Sequence, residues 1–348
     1  PEPKSVTYTT TGRELKFTCG TNGMAQATEH VFTITNVLTP SSKVVANTVT
    51  MTTQDSQGRN IDTTTAMTTD KIDPGALTVA GAAAFETATD TPGFFSVATV
   101  TFATAGRVEK GGKVELVLPA KVAGDGAQQS TWECTDNSGV ATTGTDGTDT
   151  ANAPAVAFTS PTTNAGTSIT YLAADRKLTF TVQLAKLKQQ EQVVFEITNV
   201  RTPSSITASQ SVVARTLDGQ DNDIDGQNLA TEAITVGALV AGSATLSFET
   251  ATDTPGFESV ATVKFMTAGR VEVNGLVKIV MPDLGTSVQE GWRFTNAANA
   301  GKDGALSSGT ANVPAIAFTA PATGAPEPKA VTYTTVSYTH LTLPTNTV

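Results

Sequence analysis

Apolar and polar side chains alternate along several short stretches of this chain, a pattern typical of β-strands with one buried face. Every second residue is apolar in Ala98–Phe102 and again in Val114–Leu118, where Pro119 ends the run. Glycines lie between the two runs, so the pair predicts a β-hairpin. The same arrangement recurs at Ala261–Phe265 and Val277–Met281.

Other inward-facing positions occur at Leu15, Phe17 and Cys19, and at Val156 and Phe158. Turn residues separate such runs about every ten positions, which is typical of antiparallel β-sandwiches. Helix-compatible sequence is confined to one brief polar stretch. The pattern therefore predicts an all-β protein.

The chain contains two copies of one long unit and the start of a third, the mark of a tandem array. The segment Phe85–Phe94 (FETATDTPGF) recurs unchanged at Phe248–Phe257, and Pro326–Thr335 repeats Pro1–Thr10 with one substitution. We therefore predict one domain at residues 1–160, a second at 161–323, the beginning of a third at 324–335, and a separate tail at 336–348.

Composition narrows the classes of function. Hydrophobic residues make up 39% of the chain and charged residues 16%, so each repeat can bury a core. The net charge of −10 argues against nucleic acid as a partner, since nucleic-acid binding needs basic patches. No apolar run reaches the roughly 20 residues of a membrane-spanning helix, so no membrane span is expected.

Three local motifs carry a family resemblance. Thr104–Val108 has the pattern TAGxV, Gly111–Pro119 has GGxVxLxLP, and Pro40–Ser42 is a PSS turn that recurs at Pro203–Ser205. The combination resembles immunoglobulin-like repeats of microbial extracellular surface and filament proteins. The resemblance implies two tandem antiparallel immunoglobulin-like β-sandwich domains and an extracellular location.

The last residues depart from the repeat. Val336–Thr345 (VSYTHLTLPT) resembles a translated sequencing adapter and begins where the third repeat breaks off. We expect residues 336–348 to be non-native and the natural chain to be longer. The alternative is a genuine C-terminal strand.

The two cysteines, Cys19 and Cys134, lie in the first repeat and are replaced together by Val182 and Phe294 in the second. Joint replacement predicts a buried disulfide, which implies an oxidising compartment. The alternative is a pair of buried free thiols.

Histidine is too scarce to support nucleophilic catalysis. His30 aligns with Val193 in the second repeat, and His340 lies in the anomalous tail. A serine or cysteine nucleophile needs a base beside it, so we expect no enzyme activity. Glu86 and Asp90 could form a carboxylate pair, but their identity in both repeats favours a structural turn.

One segment matches a metal-binding motif. Asp221–Glu232 (DNDIDGQNLATE) fits the twelve-residue calcium loop, with hard oxygen ligands around a sharp turn. The predicted ligands are Asp221, Asp223, Asp225, Gln227 and Glu232. The alternative is an acidic hairpin exposed to solvent, because the flanking residues read as strands.

The sequence predicts a structural protein, a protomer of an extracellular filament or surface assembly built head to tail from its own copies. Either a long covalent chain of domains or strand exchange could form the fibre. The assembly strand would comprise Val6, Thr7 and Tyr8, with Val331, Thr332 and Tyr333 equivalent to them. O-linked glycans on threonine-rich segments are a further possible partner. The alternative function is a calcium-rigidified adhesin.

Overall fold

The structure is a computed structural model that describes residues 5–21, 23–79, 84–121, 131–134, 154–164, 166–239, 246–272, 275–282 and 292. These described residues form β-strands and contain no helix, so the predicted all-β class is confirmed. The third repeat and the anomalous tail lie outside them. No helix of the described residues is long and apolar enough to cross a membrane.

The strands are short and are numbered in chain order. They are β1 (Ser5–Thr9), β2 (Glu14–Thr18), β3 (Thr48–Gln54), β4 (Asn60–Thr68), β5 (Gly75–Ala76), β6 (Phe85–Thr87), β7 (Phe95–Ala103), β8 (Lys113–Val117), β9 (Glu133–Cys134), β10 (Val156–Ser160), β11 (Gly166–Leu172), β12 (Lys177–Val182), β13 (Gln192–Arg201), β14 (Ser211–Leu217), β15 (Asp223–Ala230), β16 (Ser247–Thr250) and β17 (Ala261–Lys264).

One compact unit contains residues 1–40 and 44–72, and its described residues are named the head segment. Two antiparallel hairpins form its regular structure. Strand β1 pairs with β2, with Tyr8 opposite Leu15, and β3 pairs with β4, with Val49 opposite Met67. Every residue of β1 is exposed, so the alternating pattern of this segment does not bury an apolar face.

The other unit contains two larger sheets formed by β5 to β15, which together are named the two-sheet core. One sheet has the order β10-β13-β7-β6, with β9 also pairing to β13. The other has the order β11-β12-β8-β14-β15-β5. All pairs are antiparallel except β15 with β5, which is parallel.

The two sheets bury their apolar faces against each other. Burial alternates residue by residue along β8 and β12, as the period of two in the sequence predicts. Phe180 of one sheet packs edge to face on Phe195 of the other, with ring centroids 5.0 Å apart. Phe158 also contacts both rings, and all three join one continuous hydrophobic cluster.

The two-sheet core takes strands from both sequence repeats. Strands β5 to β10 belong to the second half of the first repeat, and β11 to β15 belong to the first half of the second. The hydrophobic cluster runs from Leu77 to Ile234, on both sides of residue 160. A folded core is therefore built across the junction between consecutive repeats.

The second half of the second repeat is described in part. Strands β16 and β17 form a short antiparallel pair with Phe248 opposite Val263. The described residues of 246–282, together with Trp292, are named the tail segment.

Candidate assembly surfaces

The residues of the calcium-loop motif lie along a β-hairpin. Asp221 sits in the turn between β14 and β15 with a φ of 65°, and its Oδ1 lies 2.5 Å from Lys113 Nζ. Asp223 begins β15, with its Oδ1 3.9 Å from Arg215 Nη1. Each of these two carboxylates therefore has its own cationic neighbour.

The remaining motif residues have separate surroundings. Asp225 is buried and accepts hydrogen bonds from Gly106 N at 2.9 Å and Thr216 Oγ1 at 3.1 Å. Gln227 is exposed opposite Ala214.

The motif residues do not converge on one point. Extended backbone advances about 3.3 Å per residue, which spreads Asp223 to Glu232 over roughly 30 Å where a calcium loop curls around its ion. Among the described residues, no group of three acidic, histidine or cysteine side chains is placed to hold a metal ion.

Glu232 belongs to a different acidic group. A hydrogen bond with Asp90, the charges of Asp90 and Glu86, and slight desolvation of the exposed side chain raise the pKa of Glu232 to about 7. Thr87 Oγ1 donates a hydrogen bond to Asp90, and Thr250 donates the equivalent bond to Asp253 at 2.5 Å. The doubled FETATDTPGF segment thus forms the same local turn in both repeats.

Cys19 and Cys134 are both free thiols, so the predicted disulfide is not formed in this structure. Cys134 is buried opposite Val200 at one end of its sheet. The counterpart of Cys19 in the core, Val182, hydrogen-bonds Gly112 at the other end of the strands. The pairing of these two cysteines therefore stays a prediction from their joint replacement.

The predicted assembly strand is exposed where it is described. Val6, Thr7 and Tyr8 belong to β1, whereas Val331, Thr332 and Tyr333 lie outside the described residues. The counterpart of Tyr8 is Tyr171 in β11, and the two tyrosines stand opposite equivalent leucines. Tyr8 is 61% exposed, but Tyr171 is 1% exposed. The same strand pairing is therefore buried in the core and uncovered in the head segment.

The head segment keeps the local geometry of its core counterpart. Phe17 and Phe32 meet with ring centroids 5.1 Å apart, as Phe180 and Phe195 do in the core at 5.0 Å. Yet Phe32 is 47% exposed and Phe195 is completely buried. The head segment thus repeats part of the local geometry of the core, with apolar side chains that are exposed.

Nearly identical sequences differ in strand formation. Val194–Val200 (VFEITNV) lies in β13, which pairs with β7, β9 and β10, whereas Val31–Val37 (VFTITNV) forms no strand. Asn36 nevertheless has a φ of 60°, close to the 56° of Asn199. The backbone of Val31–Val37 keeps the irregularity of β13 at this asparagine, but it pairs with no strand in the part of the chain that the structure describes.

The tail segment has less strand structure than the equivalent part of the core. Its β17 has four residues, whereas the equivalent β7 has nine. Residues 276–280, the counterpart of β8, form no strand. An open apolar groove of about 290 Å³ runs beside them, lined by Phe248, Val263, Phe265, Val277 and Ile279 among others.

The lining residues of this groove correspond to buried positions of the core. Their counterparts are Phe85, Val100, Phe102, Val114 and Leu116, and all of these are essentially buried. Sequence periodicity identified both sets as inward-facing. It did not reveal that the groove residues line an open surface while their counterparts are buried, because burial depends on which strands pack together.

Comparison with protein-family models, with curated proteins and with solved structures finds no match to this chain. We therefore infer its function from its own exposed surfaces.

Proposed function

We propose that this chain is the structural protomer of an extracellular filament or surface assembly, joined head to tail into a homopolymer of immunoglobulin-like β-sandwiches. The observation that carries the proposal is that both ends of the described chain expose apolar residues whose counterparts are buried in the two-sheet core. Such surfaces call for a covering partner, since large uncovered apolar patches mark interaction sites.

The two exposed surfaces are different from each other. The head segment corresponds to β11–β15 of the core, and the tail segment corresponds to β6–β8. A contact between two different surfaces is heterologous, and it propagates into a filament unless its rotation closes a ring. The pair of surfaces therefore supports a polymer more directly than a two-fold dimer.

The experiment is to follow assembly of the purified chain over a concentration series by sedimentation and negative-stain microscopy. We expect filaments with a regular axial repeat above a critical concentration. Phe32→Asp should raise that concentration at least tenfold, since burial of a large apolar side chain stabilises by about 1.5–3 kcal/mol.

Val45→Asp is the matched control. Val45 is a strongly exposed apolar residue of the head segment, but its counterpart Ala208 is exposed in the core as well. This variant should assemble like the wild type. A wild-type chain that stays monomeric at every accessible concentration would contradict the proposal.

A further inference from the structure

We infer that the turn Thr91–Phe94 of the first repeat and the segment Thr267–Glu272 of the second form a joint that fixes the orientation of consecutive repeats along the chain. They are named the TPGF turn and the TAGRVE segment after their sequences. Each recurs unchanged in the other repeat, at Thr254–Phe257 and Thr104–Glu109. The inference goes beyond the proposed function, because it concerns contacts within one chain and holds whether or not chains assemble.

The TPGF turn is anchored in the two-sheet core. It connects β6 to β7, and the loop that follows β13 holds it from below. Gly93 N donates a hydrogen bond to Pro203 O at 2.8 Å. Thr202, which is completely buried, donates from Oγ1 to Thr91 O at 2.5 Å and accepts from Phe94 N at 2.9 Å. The turn is therefore a rigid feature of the core surface.

The TAGRVE segment meets this turn backbone to backbone. Arg270 N donates a hydrogen bond to Gly93 O at 3.2 Å. A Cβ added to Gly269 would lie 1.8 Å from Pro92 O, and a Cβ added to Gly93 would lie 2.9 Å from Arg270 O. Only glycine permits such a close approach of two backbones. The contact therefore leaves no room for a side chain at either glycine.

The chain that follows the core also passes through the contact. A Cβ added to Gly237 would lie 2.4 Å from Thr91 Cγ2 and 2.9 Å from Ala268 Cβ. The TPGF turn, the TAGRVE segment and the start of the connection between them thus pack together at one place.

An ionic contact crosses the joint. Arg201 of β13 has its Nη1 3.6 Å from Glu272 Oε1, and Arg270 Nε lies 3.5 Å from Glu272 Oε2. The Glu272 side chain is 13% exposed, whereas its counterpart Glu109 is 47% exposed within the same hexapeptide. A carboxylate that leaves water needs a cationic partner. The preceding core supplies that partner to the TAGRVE segment of the second repeat.

The joint gives a physical reason for the identity of both segments in the two repeats. Other parts of the repeat vary, since KVELV at 113–117 becomes LVKIV at 276–280. Each repeat of a tandem array contacts only its neighbours. A repeat that carries both the TPGF turn and the TAGRVE segment can therefore contact the repeat before it with one and the repeat after it with the other.

The consequence is a restriction of movement. Domains of one chain that share a small polar interface move relative to each other by default. Here the two backbones touch at glycines and a half-buried ion pair spans the contact. Consecutive repeats should therefore move as one rigid unit.

A distance measurement in the full-length chain tests the joint. Spin labels are attached at Glu196→Cys in β13 and Thr262→Cys in β17, two exposed positions, with Cys19 replaced by Ser. The labelled chain is diluted into an excess of unlabelled chain, so that pulsed electron resonance reports distances within one chain. We expect one narrow distance distribution. Gly269→Ala should broaden it about twofold, because the contact that restricts domain movement is lost.

The second copy of the turn provides a matched control. Gly93 and Gly256 have positive φ angles of 65° and 70°, so alanine introduces similar backbone strain at both. An added Cβ at Gly256 meets no atom within 4 Å among the described residues. Gly93→Ala should broaden the distribution, and Gly256→Ala should leave it unchanged.

The native core serves as a check on folding. Cys134 is buried, so only the two introduced cysteines should take up label in every variant that keeps its core. A broad distribution in the chain without a glycine substitution would overturn the joint, and so would an unchanged width in Gly269→Ala. Equal broadening by Gly93→Ala and Gly256→Ala would assign the effect to strain and would also overturn it. None of these results bears on filament formation, and a chain that never assembles would contradict the proposed function alone.

Discussion

Phe248 and Trp292 meet edge to face, with ring centroids 5.9 Å apart and planes at 89°. The same arrangement joins Phe85 to Trp132 in the two-sheet core, at 5.6 Å and 87°. Trp132 is 1% exposed, whereas Trp292 is 48% exposed. The tail segment therefore holds a core aromatic pair in its core geometry while one face remains in contact with solvent.

This difference predicts an optical signal for assembly. Docking of a second chain would cover Trp292, so tryptophan emission should shift to shorter wavelength as the concentration passes the assembly threshold. Trp292→Phe should abolish the shift, because Trp132 is already buried. A shift that persists in this variant would mean that assembly covers some other part of the chain.

The buried ion pair of β13 predicts a large loss of stability on mutation. Arg201 is buried, pairs with Glu133 on β9, lies 3.6 Å from Glu272 Oε1 and stands over the ring of Phe95. Arg201→Leu leaves both carboxylates without this partner and should reduce the free energy of unfolding by about 3 kcal/mol. Urea denaturation measures this change.

A second substitution separates the effect of the ion pair from the effect of Arg201 packing. Arg201→Leu with Glu133→Leu removes this pair, while Glu272 keeps Arg270 at 3.5 Å, and should regain much of the loss. Equal stability of the single and double variants would show that the lost packing of Arg201, and not an unpaired carboxylate, dominates.

The acidic group at Glu232 predicts a pH dependence. The hydrogen bond and charge of Asp90 raise the pKa of Glu232 to about 7, so the folded state favours the protonated carboxyl. The resulting stabilisation is complete below the unfolded pKa of about 4.3 and is lost as pH rises through 7. The melting temperature should therefore fall between pH 5 and pH 8, and Glu232→Gln should flatten that fall. An unchanged slope in the variant would assign the pH dependence elsewhere.

The two thiols should differ in reactivity. Burial raises the pKa of Cys134 to about 12, so its thiolate is scarce in the folded protein. Cys19 is partly exposed. A thiol reagent should modify Cys19 rapidly in the native chain and Cys134 only after unfolding, with both titrating in denaturant. Failure to titrate either thiol in denaturant would indicate the disulfide that this structure does not contain.

Much of the fold follows from local sequence. Alternation in Val114–Leu118 identified a strand and its inward face, and alternation in Leu15–Cys19 identified a strand whose side chains stay largely exposed. The predicted hairpin of Ala98–Phe102 with Val114–Leu118 is wrong, because β7 pairs with β6 and β13 in one sheet and β8 pairs with β12 and β14 in the other. Alternation marks strands but does not indicate which strands pair. The phase of the folded unit could not be obtained in this way. A tandem repeat fixes the length of its unit but not the point at which the folded unit begins. The hydrophobic cluster of the two-sheet core extends from Leu77 to Ile234. Its limits depend on which strands pack face to face, and no local sequence pattern indicates that.

The candidate sites, too, could be predicted from the sequence only in part. The restart of the repeat predicted that Tyr8 belongs to an assembly strand. Tyr8 lies in β1 and is exposed, and its role in assembly stays a prediction. The calcium site stays a prediction: Asp223 and Asp225 lie on an extended strand, where ligand spacing along the sequence does not gather the side chains.

The most direct measurement is a helical reconstruction of the assembled filament at a resolution that separates side chains. We expect contacts between chains to cover both Phe32 of the head segment and the apolar groove beside residues 276–280 of the tail segment. A filament in which either surface stays exposed to solvent would contradict the proposed function.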